Sequence, residues 1–190
     1  VHPDRILTNA GLRDRQDIIL TKPLGVGVLT TAIKAGRATA EQAEAAVASM
    51  TRLNDVACRL ALAAGATGCT DVTGFGLVGH LGRMALESRV SVTVDFDAVP
   101  FLPGAIDFAA EGVMPGGSRR NLSWALDFVD PGDHDEVHQL LVAAAQTSGG
   151  LVFGVEPSAT DEVLTELSAT GHTSARIGAV TVGEPGIRLR

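Results

Sequence analysis

The stretch of residues 70–76, Thr-Asp-Val-Thr-Gly-Phe-Gly, most constrains the fold of this chain. An apolar run over residues 66–72 predicts a strand, whereas residues 77–88 have the pattern of a helix. Two glycines at the junction allow a tight turn in which the backbone approaches a ligand with no Cβ in the way. The sequence therefore predicts a strand, a glycine turn and a helix in direct succession, with Asp71 where the strand ends.

The chemistry of this junction suits a metal-bound phosphate. A helix N-terminus presents backbone N–H groups and partial positive charge, and both attract a phosphate. The Asp71 carboxylate would supply the anionic oxygen that Mg²⁺ prefers. The alternative, which the spacing alone favours, is an ordinary strand-to-helix turn in which an Asp or Thr caps the helix.

Composition narrows the class of protein. The chain has 190 residues, is 45% hydrophobic and has a mean hydropathy of +0.23, as expected of one domain with its own core. A net charge of −7 without a basic stripe argues against a nucleic-acid partner. No apolar run has the length of a membrane span, so we expect no membrane contact. Cys58 and Cys69 lie in apolar surroundings, from which we expect reduced thiols and a cytoplasmic location.

Local patterns predict strands and helices along the rest of the chain. Residues 39–64 are the clearest helix, since Thr39 and Gln42 match a capping box. Its predicted buried stripe consists of Val47, Met50, Leu53, Ala57 and Leu60. Further helices are predicted over residues 28–35, 105–111 and 134–145, and from a cap at Ser158 or Thr160 to residue 170; strands are predicted over residues 17–21, 90–96, 151–155, 175–182 and 187–189. The closing strand–helix–strand order argues for α+β layers.

Two basic segments are candidates for binding an anion. Lys22 follows a predicted strand and precedes a Pro–Gly turn, where its ammonium could reach a phosphate; the alternative is a solvated lysine. Residues 113–121 predict a loop in which Arg119 and Arg120 could hold an anion with paired hydrogen bonds. The alternative there is an ordinary exposed turn with a basic tip.

Three further side chains have two interpretations each. His80 lies one turn into a predicted helix and could reach a phosphate, but a packed or surface histidine is the alternative. Asp95 and Asp97 fall on the polar face of an alternating strand. The two carboxylates could hold a metal, or could lie at an exposed strand end.

Five segments, in order, resemble the selenophosphate synthetases (selenide, water dikinases), which belong with the aminoimidazole ribonucleotide synthetase-like enzymes. The segments are residues 20–25 (LTKPLG), 70–81 (TDVTGFGLVGHL), 99–104 (VPFLPG), 115–121 (PGGSRRN) and 146–151 (QTSGGL). Together they span nearly the whole chain. The chain departs from the family at Ala144, where an Asp usually stands two residues before the Gln.

The resemblance implies the C-terminal domain of such an enzyme, with an α+β fold: a layered α/β sandwich in which helices flank a mixed sheet. That domain would occupy residues 16–190, and residues 1–15 would be the tail of an N-terminal ATP-binding domain. Because Val1 is not a natural start, we expect the natural protein to continue upstream. The full-length enzyme would be a homodimer.

The implied reaction converts selenide, ATP and water into selenophosphate, AMP and phosphate, with Mg²⁺ holding the phosphates. In this chain, Asp71 would be the metal ligand, and the residues expected to contact the nucleotide are Lys22, Thr73, Gly74 and Asn121. No catalytic residue is expected here, since the reactive Cys or selenocysteine of the family lies in the N-terminal domain. Neither Cys58 nor Cys69 has the setting that lowers a thiol pKa.

Two alternatives remain open at this point. The first is a related ATP-using enzyme of the same fold, such as a thiamine-phosphate kinase, a purine-pathway synthetase or a hydrogenase-maturation dehydratase. The second is a non-catalytic binding or assembly module that keeps the fold without the chemistry. Ala144 and the expected absence of the N-terminal half keep this second alternative open, whereas residues 73–76 and 146–150 favour the selenophosphate synthetase over the related enzymes.

Overall fold

The computed structural model describes residues 6–190, so residues 1–5 of the expected tail lie outside the described residues. In the described part, helices flank one mixed sheet, which confirms the predicted α+β class. The strands are β1 (Asp17–Leu20), β2 (Cys69–Asp71), β3 (Ser91–Val94), β4 (Val129–Asp130), β5 (Leu151–Val155), β6 (Ala175–Thr181) and β7 (Gly186–Leu189). The helices are α1 (Val26–Lys34), α2 (Ala40–Thr51), α3 (Asp55–Ala63), α4 (Gly76–Ser88), α5 (Ala105–Ala110), α6 (Ser118–Ala125), α7 (Glu136–Ala143) and α8 (Pro157–Ala169).

The strand order places the Thr70–Gly76 junction at one end of the sheet. The order is β2-β5-β1-β6-β3-β7-β4. The pairs β3–β7 and β7–β4 are parallel, and the other pairs are antiparallel. The strand β2, which carries Asp71, therefore lies at the end of the order and pairs with β5.

Two apolar cores lie on opposite faces of the sheet, and the central strand β1 contributes to both. Ile18 and Leu20 pack with apolar residues of α4 and α7, whereas Ile19 packs with residues of α3 and α8. This division follows from the alternation of side chains along a strand. The continuous apolar run that predicted β1 is thus explained, because both faces of the strand are covered.

The predicted single helix over residues 39–64 is wrong, because the chain forms α2 and α3 with a break at residues 52–54. Arg52 has extended backbone angles, and its carbonyl accepts a hydrogen bond from Lys22. The predicted stripe fails at the break, where Leu53 is 73% exposed. The Thr39–Gln42 capping box at the start of α2 is confirmed.

Two other boundaries differ from the sequence predictions. The predicted loop over residues 113–121 ends early, because α6 begins at Ser118 and places Arg119, Arg120 and Asn121 in its first turn. Neither Ser158 nor Thr160 caps α8; Glu156 is the capping residue, and Pro157 takes the first helical position that proline favours.

The aspartates predicted on the strand over residues 90–96 lie beyond its end. The strand β3 stops at Val94; Asp95 directly precedes the short 3₁₀ turn Phe96–Ala98, which contains Asp97, and both aspartates are exposed. Among residues 6–190, no group of three or more His, Cys, Asp and Glu side chains is arranged to hold a metal ion. The same residues include no helix that is long and apolar enough to cross a membrane.

Candidate functional site

The predicted strand, turn and helix are present at the Thr70–Gly76 junction. The strand β2 ends at Asp71, and α4 begins at Gly76. The turn between them is fixed by backbone hydrogen bonds: Val72 N donates to Gly150 O at 2.9 Å, and Gln146 N donates to Thr73 O at 2.9 Å. These hydrogen bonds join the junction to another turn rich in polar residues and glycine, which spans residues 146–150.

The Asp71 side chain is not part of this support. It is exposed, and among residues 6–190 its carboxylate has no hydrogen bond or ion pair. The residue at the N-cap position of α4 is Phe75, and no side chain of residues 6–190 bonds the first N–H groups of the helix. The alternative in which an Asp or Thr caps this helix is therefore wrong, and the carboxylate faces outward beside an uncapped helix start.

The two glycines of the turn have different roles. At Gly76, φ is +70°, and an added Cβ would lie 2.6 Å from the backbone of Ala143, so the fold requires glycine there. At Gly74, which is exposed, an added Cβ would meet nothing within 4 Å. The structure therefore assigns close packing to Gly76, and leaves Gly74 as the glycine with open space in front of it.

His80 orders the turn from inside the helix. Its Nε2 lies 3.1 Å from the Thr73 hydroxyl and 3.4 Å from the Phe75 amide nitrogen. Burial lowers the pKa of His80, while the nearby Asp71 charge acts in the opposite direction. A neutral imidazole can accept both hydrogen bonds at Nε2, so the packed histidine is the interpretation that the geometry supports.

Asn121 holds the Gly74 peptide in place. Its side-chain nitrogen donates to Gly74 O at 2.8 Å and to Ala143 O at 3.1 Å. The side chain is buried on the first turn of α6. Both amide hydrogens are used on backbone carbonyls, so the geometry gives Asn121 a positioning role; its direct contact with a nucleotide stays a prediction.

Lys22 is buried, so the solvated lysine is wrong. Only 2% of the residue is exposed, and Nζ donates to Arg52 O at 2.6 Å and to Ser148 O at 2.8 Å. Burial, and then the Arg52 charge, lower the pKa of Lys22. The side chain thereby joins the break between α2 and α3 to the turn over residues 146–150.

Arg119 and Arg120 lie in a helix, where both interpretations had placed a loop. Both are exposed on the first turn of α6, and Arg119 forms an ion pair with Glu136 at the start of α7. Binding of an anion by this pair stays a prediction.

Gln146 is the residue with a structural role that the sequence did not single out. Its Oε1 accepts from the amides of Gly25 and Val26 at 3.1 Å each, and its Nε2 donates to Ala144 O at 2.9 Å. The signal available in the sequence was its place at the head of the segment Gln-Thr-Ser-Gly-Gly-Leu. The Ala144 side chain packs in the apolar core, and its backbone carbonyl accepts the hydrogen bond from Gln146.

The five sequence segments meet in space. The segment over residues 20–25 bonds the one over residues 99–104 through Leu24, whose amide donates to Pro100 O and whose carbonyl accepts from Leu102 N. Gln146 then links residues 20–25 to the junction, and Asn121 links the fourth segment to it. Segments that are far apart in sequence therefore build one local structure around Asp71.

Residues 16–189 match the model of the family described as "AIR synthase related protein, C-terminal domain". A selenide, water dikinase from Trichlorobacter lovleyi is 45% identical over 159 residues, which cover 84% of this chain and 46% of the relative. One from Porphyromonas gingivalis is 39% identical over 191 residues, covering 100% and 55%. The chain spans about half the length of the curated relatives that it matches.

Solved structures show the same fold. A thiamine-monophosphate kinase from Stenotrophomonas maltophilia superposes with a TM-score of 0.70 at 20% identity, over 100% of this chain and 54% of that one. The hydrogenase maturation protein HypE, solved in complex with ATP, gives a TM-score of 0.70 at 17% identity, over 100% and 51%. At these identities the likeness shows the fold alone. With residues 16–189 matched by the family model, the chain belongs to the AIR synthase related family, of which it contains the C-terminal domain.

Proposed function

We propose that this chain is the C-terminal part of a selenophosphate synthetase, which makes selenophosphate, AMP and phosphate from selenide, ATP and water. The identity of 45% and 39% to two selenide, water dikinases supports this assignment over the thiamine-monophosphate kinase and HypE alternatives, whose likeness is one of fold. The full-length enzyme would act as a cytoplasmic homodimer.

The observation that carries the site proposal is the free carboxylate of Asp71 beside an uncapped helix start. A side chain that stabilises the fold normally forms hydrogen bonds or ion pairs, and the Asp71 carboxylate forms none among residues 6–190. The open face at Gly74 lets a phosphate approach the backbone, since no Cβ blocks it. Asp71, Gly74 and the N-terminus of α4 would together bind the phosphates of ATP with their metal.

A Mg²⁺ ion at this site fits a donor set of one protein carboxylate. Mg²⁺ keeps several waters and is usually held by one or two carboxylates plus substrate phosphates. When bound, it would neutralise and orient the phosphate oxygens. Because the described residues contain no larger metal-binding group, we expect the remaining carboxylate ligands to come from another part of the enzyme.

The Cys69 thiol does not suit covalent catalysis. Burial, aided by Cys58 and Asp71, raises the pKa of Cys69 to about 12. A thiol is a nucleophile only as the thiolate, so Cys69 stays unreactive near neutral pH. We therefore place the nucleophile outside this chain, and we expect residues 1–190 alone to bind Mg²⁺–ATP weakly.

Paramagnetic broadening tests the location of the metal. Mn²⁺, which prefers the same oxygen ligands as Mg²⁺, is added with a non-hydrolysable ATP analogue to the chain, and amide signals are followed by NMR. We expect broadening centred on residues 71–77. Asp71→Asn should abolish it, whereas Asp107→Asn, a change at an exposed aspartate on α5, should not. Broadening centred elsewhere, or unaffected by Asp71→Asn, would contradict the assignment.

A further inference from the structure

A second group of polar side chains lies on the other side of the turn over residues 146–150. A cavity of about 380 Å³ is lined by Lys22, Ser49, Arg52, Phe101, Leu102 and Thr173, among others. We call it the Lys22 cavity. None of residues 70–76 lines it, so it is separate from the Asp71 junction.

The charge in this cavity is positive and has no acidic partner. No carboxylate of residues 6–190 lies within 4.0 Å of the charged nitrogens of Lys22 or Arg52. The chain as a whole carries a net charge of −7, so carboxylates are not scarce. Of the two cations, Lys22 is buried whereas Arg52 is exposed; a buried charge such as that of Lys22 is normally paired, because leaving water without a counter-charge is unfavourable.

The polar side chains of the Lys22 cavity have hydrogen-bond donors that no group among residues 6–190 accepts. An ammonium has three N–H donors, and Arg52 O and Ser148 O take two of those on Lys22. The Arg52 guanidinium has five, of which one is bonded, to Thr170 O at 3.0 Å. The Ser49 hydroxyl is buried, with 9% of the residue exposed, and has no partner within the described residues.

His172 adds a fourth group beside Arg52. It lines an adjoining cavity of about 390 Å³ that shares Ala48 and Arg52 with the first. Only 6% of the residue is exposed, and its Nε2 has no partner among residues 6–190. Burial and then the Arg52 charge lower the pKa of His172, as does the Lys22 charge, while a hydrogen bond with the Leu167 backbone and the Asp55 charge act in the opposite direction. Arg52 thus lines both the Lys22 cavity and the cavity that His172 lines.

We propose that the Lys22 cavity binds a small tetrahedral oxyanion of the phosphate type, held by Lys22, Arg52 and the Ser49 hydroxyl. An oxyanion supplies the missing negative charge and accepts hydrogen bonds on several oxygens at once. Arginine and lysine beside a hydroxyl are the donors that phosphate recognition uses. The oxyanion is either free inorganic phosphate or the terminal phosphate of a nucleotide.

The test is calorimetric titration of inorganic phosphate into the chain with EDTA present. Without a divalent metal the Asp71 junction is inactive as a metal site, so this experiment succeeds or fails independently of the proposed function. We expect saturable binding and a phosphate-dependent rise in the thermal midpoint. Arg52→Gln should weaken binding about tenfold, since a hydrogen bond to a charged group is lost.

Two variants separate the cavity from the general charge of the protein. Arg188→Gln removes one positive charge from an exposed position on β7 and should leave phosphate binding unchanged. Ser49→Ala should weaken binding about threefold. It should leave the phosphate-free thermal midpoint unchanged or raised, because it removes a buried hydroxyl that has no partner.

The source of the oxyanion is decided by competition. If ADP displaces bound phosphate in EDTA, the cavity takes the terminal phosphate of a nucleotide; if it does not, the cavity takes the free ion. Either result supports an oxyanion site. Absence of saturable binding, or equal binding by the chain and by Arg52→Gln, would overturn the proposal and leave a cavity filled by water only.

Discussion

Gly74 and Gly76 are two residues apart, and the structure gives them opposite requirements. Gly76 has a left-handed backbone and touches the chain at Ala143, while Gly74 has neither constraint. The sequence predicted that both glycines let the backbone approach a ligand. At Gly76 that was wrong, because the group approached is the protein's own backbone.

This difference predicts that alanine at position 76 destabilises the fold, whereas alanine at position 74 weakens ligand binding. Gly76→Ala should lower the free energy of unfolding by about 3 kcal/mol, from backbone strain and the clash with Ala143. Gly74→Ala should change it by less than about 0.5 kcal/mol, as for most exposed positions, yet should weaken Mg²⁺–nucleotide binding. Denaturant unfolding and calorimetry on both variants provide the measurement. If Gly74→Ala destabilised the fold as much as Gly76→Ala, Gly74 would be a structural residue.

At the site, the sequence predicted the position of Asp71 at the end of a strand but not the burial of Lys22. An aspartate that follows a strand and precedes a glycine turn is placed at a surface junction by the order of elements alone. The burial of Lys22 depends on Arg52 and Ser148, whose carbonyls reach it from distant parts of the chain. Charged side chains are seldom fully buried, so local pattern favoured the wrong alternative.

The sequence predicted the strands and helices that have a regular apolar pattern. It did not predict the helix break that depends on tertiary contacts. The strand β1 and the helix α4 agree within one or two residues, because their apolar runs fill the core. The alanine-rich region over residues 39–64 favours helix throughout. Its break arises because Lys22 and Gly149 bind the backbone of Arg52 and the side chain of Asn54.

A buried hydrogen bond joins two other elements. Thr160 on α8 donates its hydroxyl to Asp17 Oδ2 on β1 at 2.7 Å, while Arg176 on β6 donates to Oδ1 at 2.6 Å. Asp17 and Thr160 are both buried. The contact ties the helix to the two central strands, which explains why Thr160 is inside α8 rather than at its cap.

Removing this hydroxyl should loosen α8 from the sheet. Thr160→Val keeps the side-chain volume and leaves one Asp17 oxygen unpaired, so we expect a loss of about 2 kcal/mol in the free energy of unfolding. The control is Thr165→Val on the same helix. The Thr165 hydroxyl is exposed and donates only to the backbone carbonyl of Asp161, four residues earlier in the helix. Denaturant unfolding should show a loss at least twice as large for Thr160→Val; equal losses would contradict the assigned role.

At the scale of the whole molecule, the fold is shared with a thiamine-monophosphate kinase and with a hydrogenase maturation protein. The kinase and HypE structures superpose on this chain at 20% and 17% identity. The fold alone therefore does not determine the reaction, and the proposed function depends on the residues of the site. The chain spans about half the length of its curated relatives.

The most direct test joins residues 16–190 to the part of the Trichlorobacter lovleyi relative that this chain does not match, and measures AMP formation with and without selenide. We expect selenide-dependent AMP formation by the chimera and none by residues 1–190 alone. Asp71→Asn should lower the chimera's rate about 100-fold without moving its thermal midpoint, and Asp107→Asn should change neither. A normal rate with Asp71→Asn, or turnover by the isolated chain, would contradict the account.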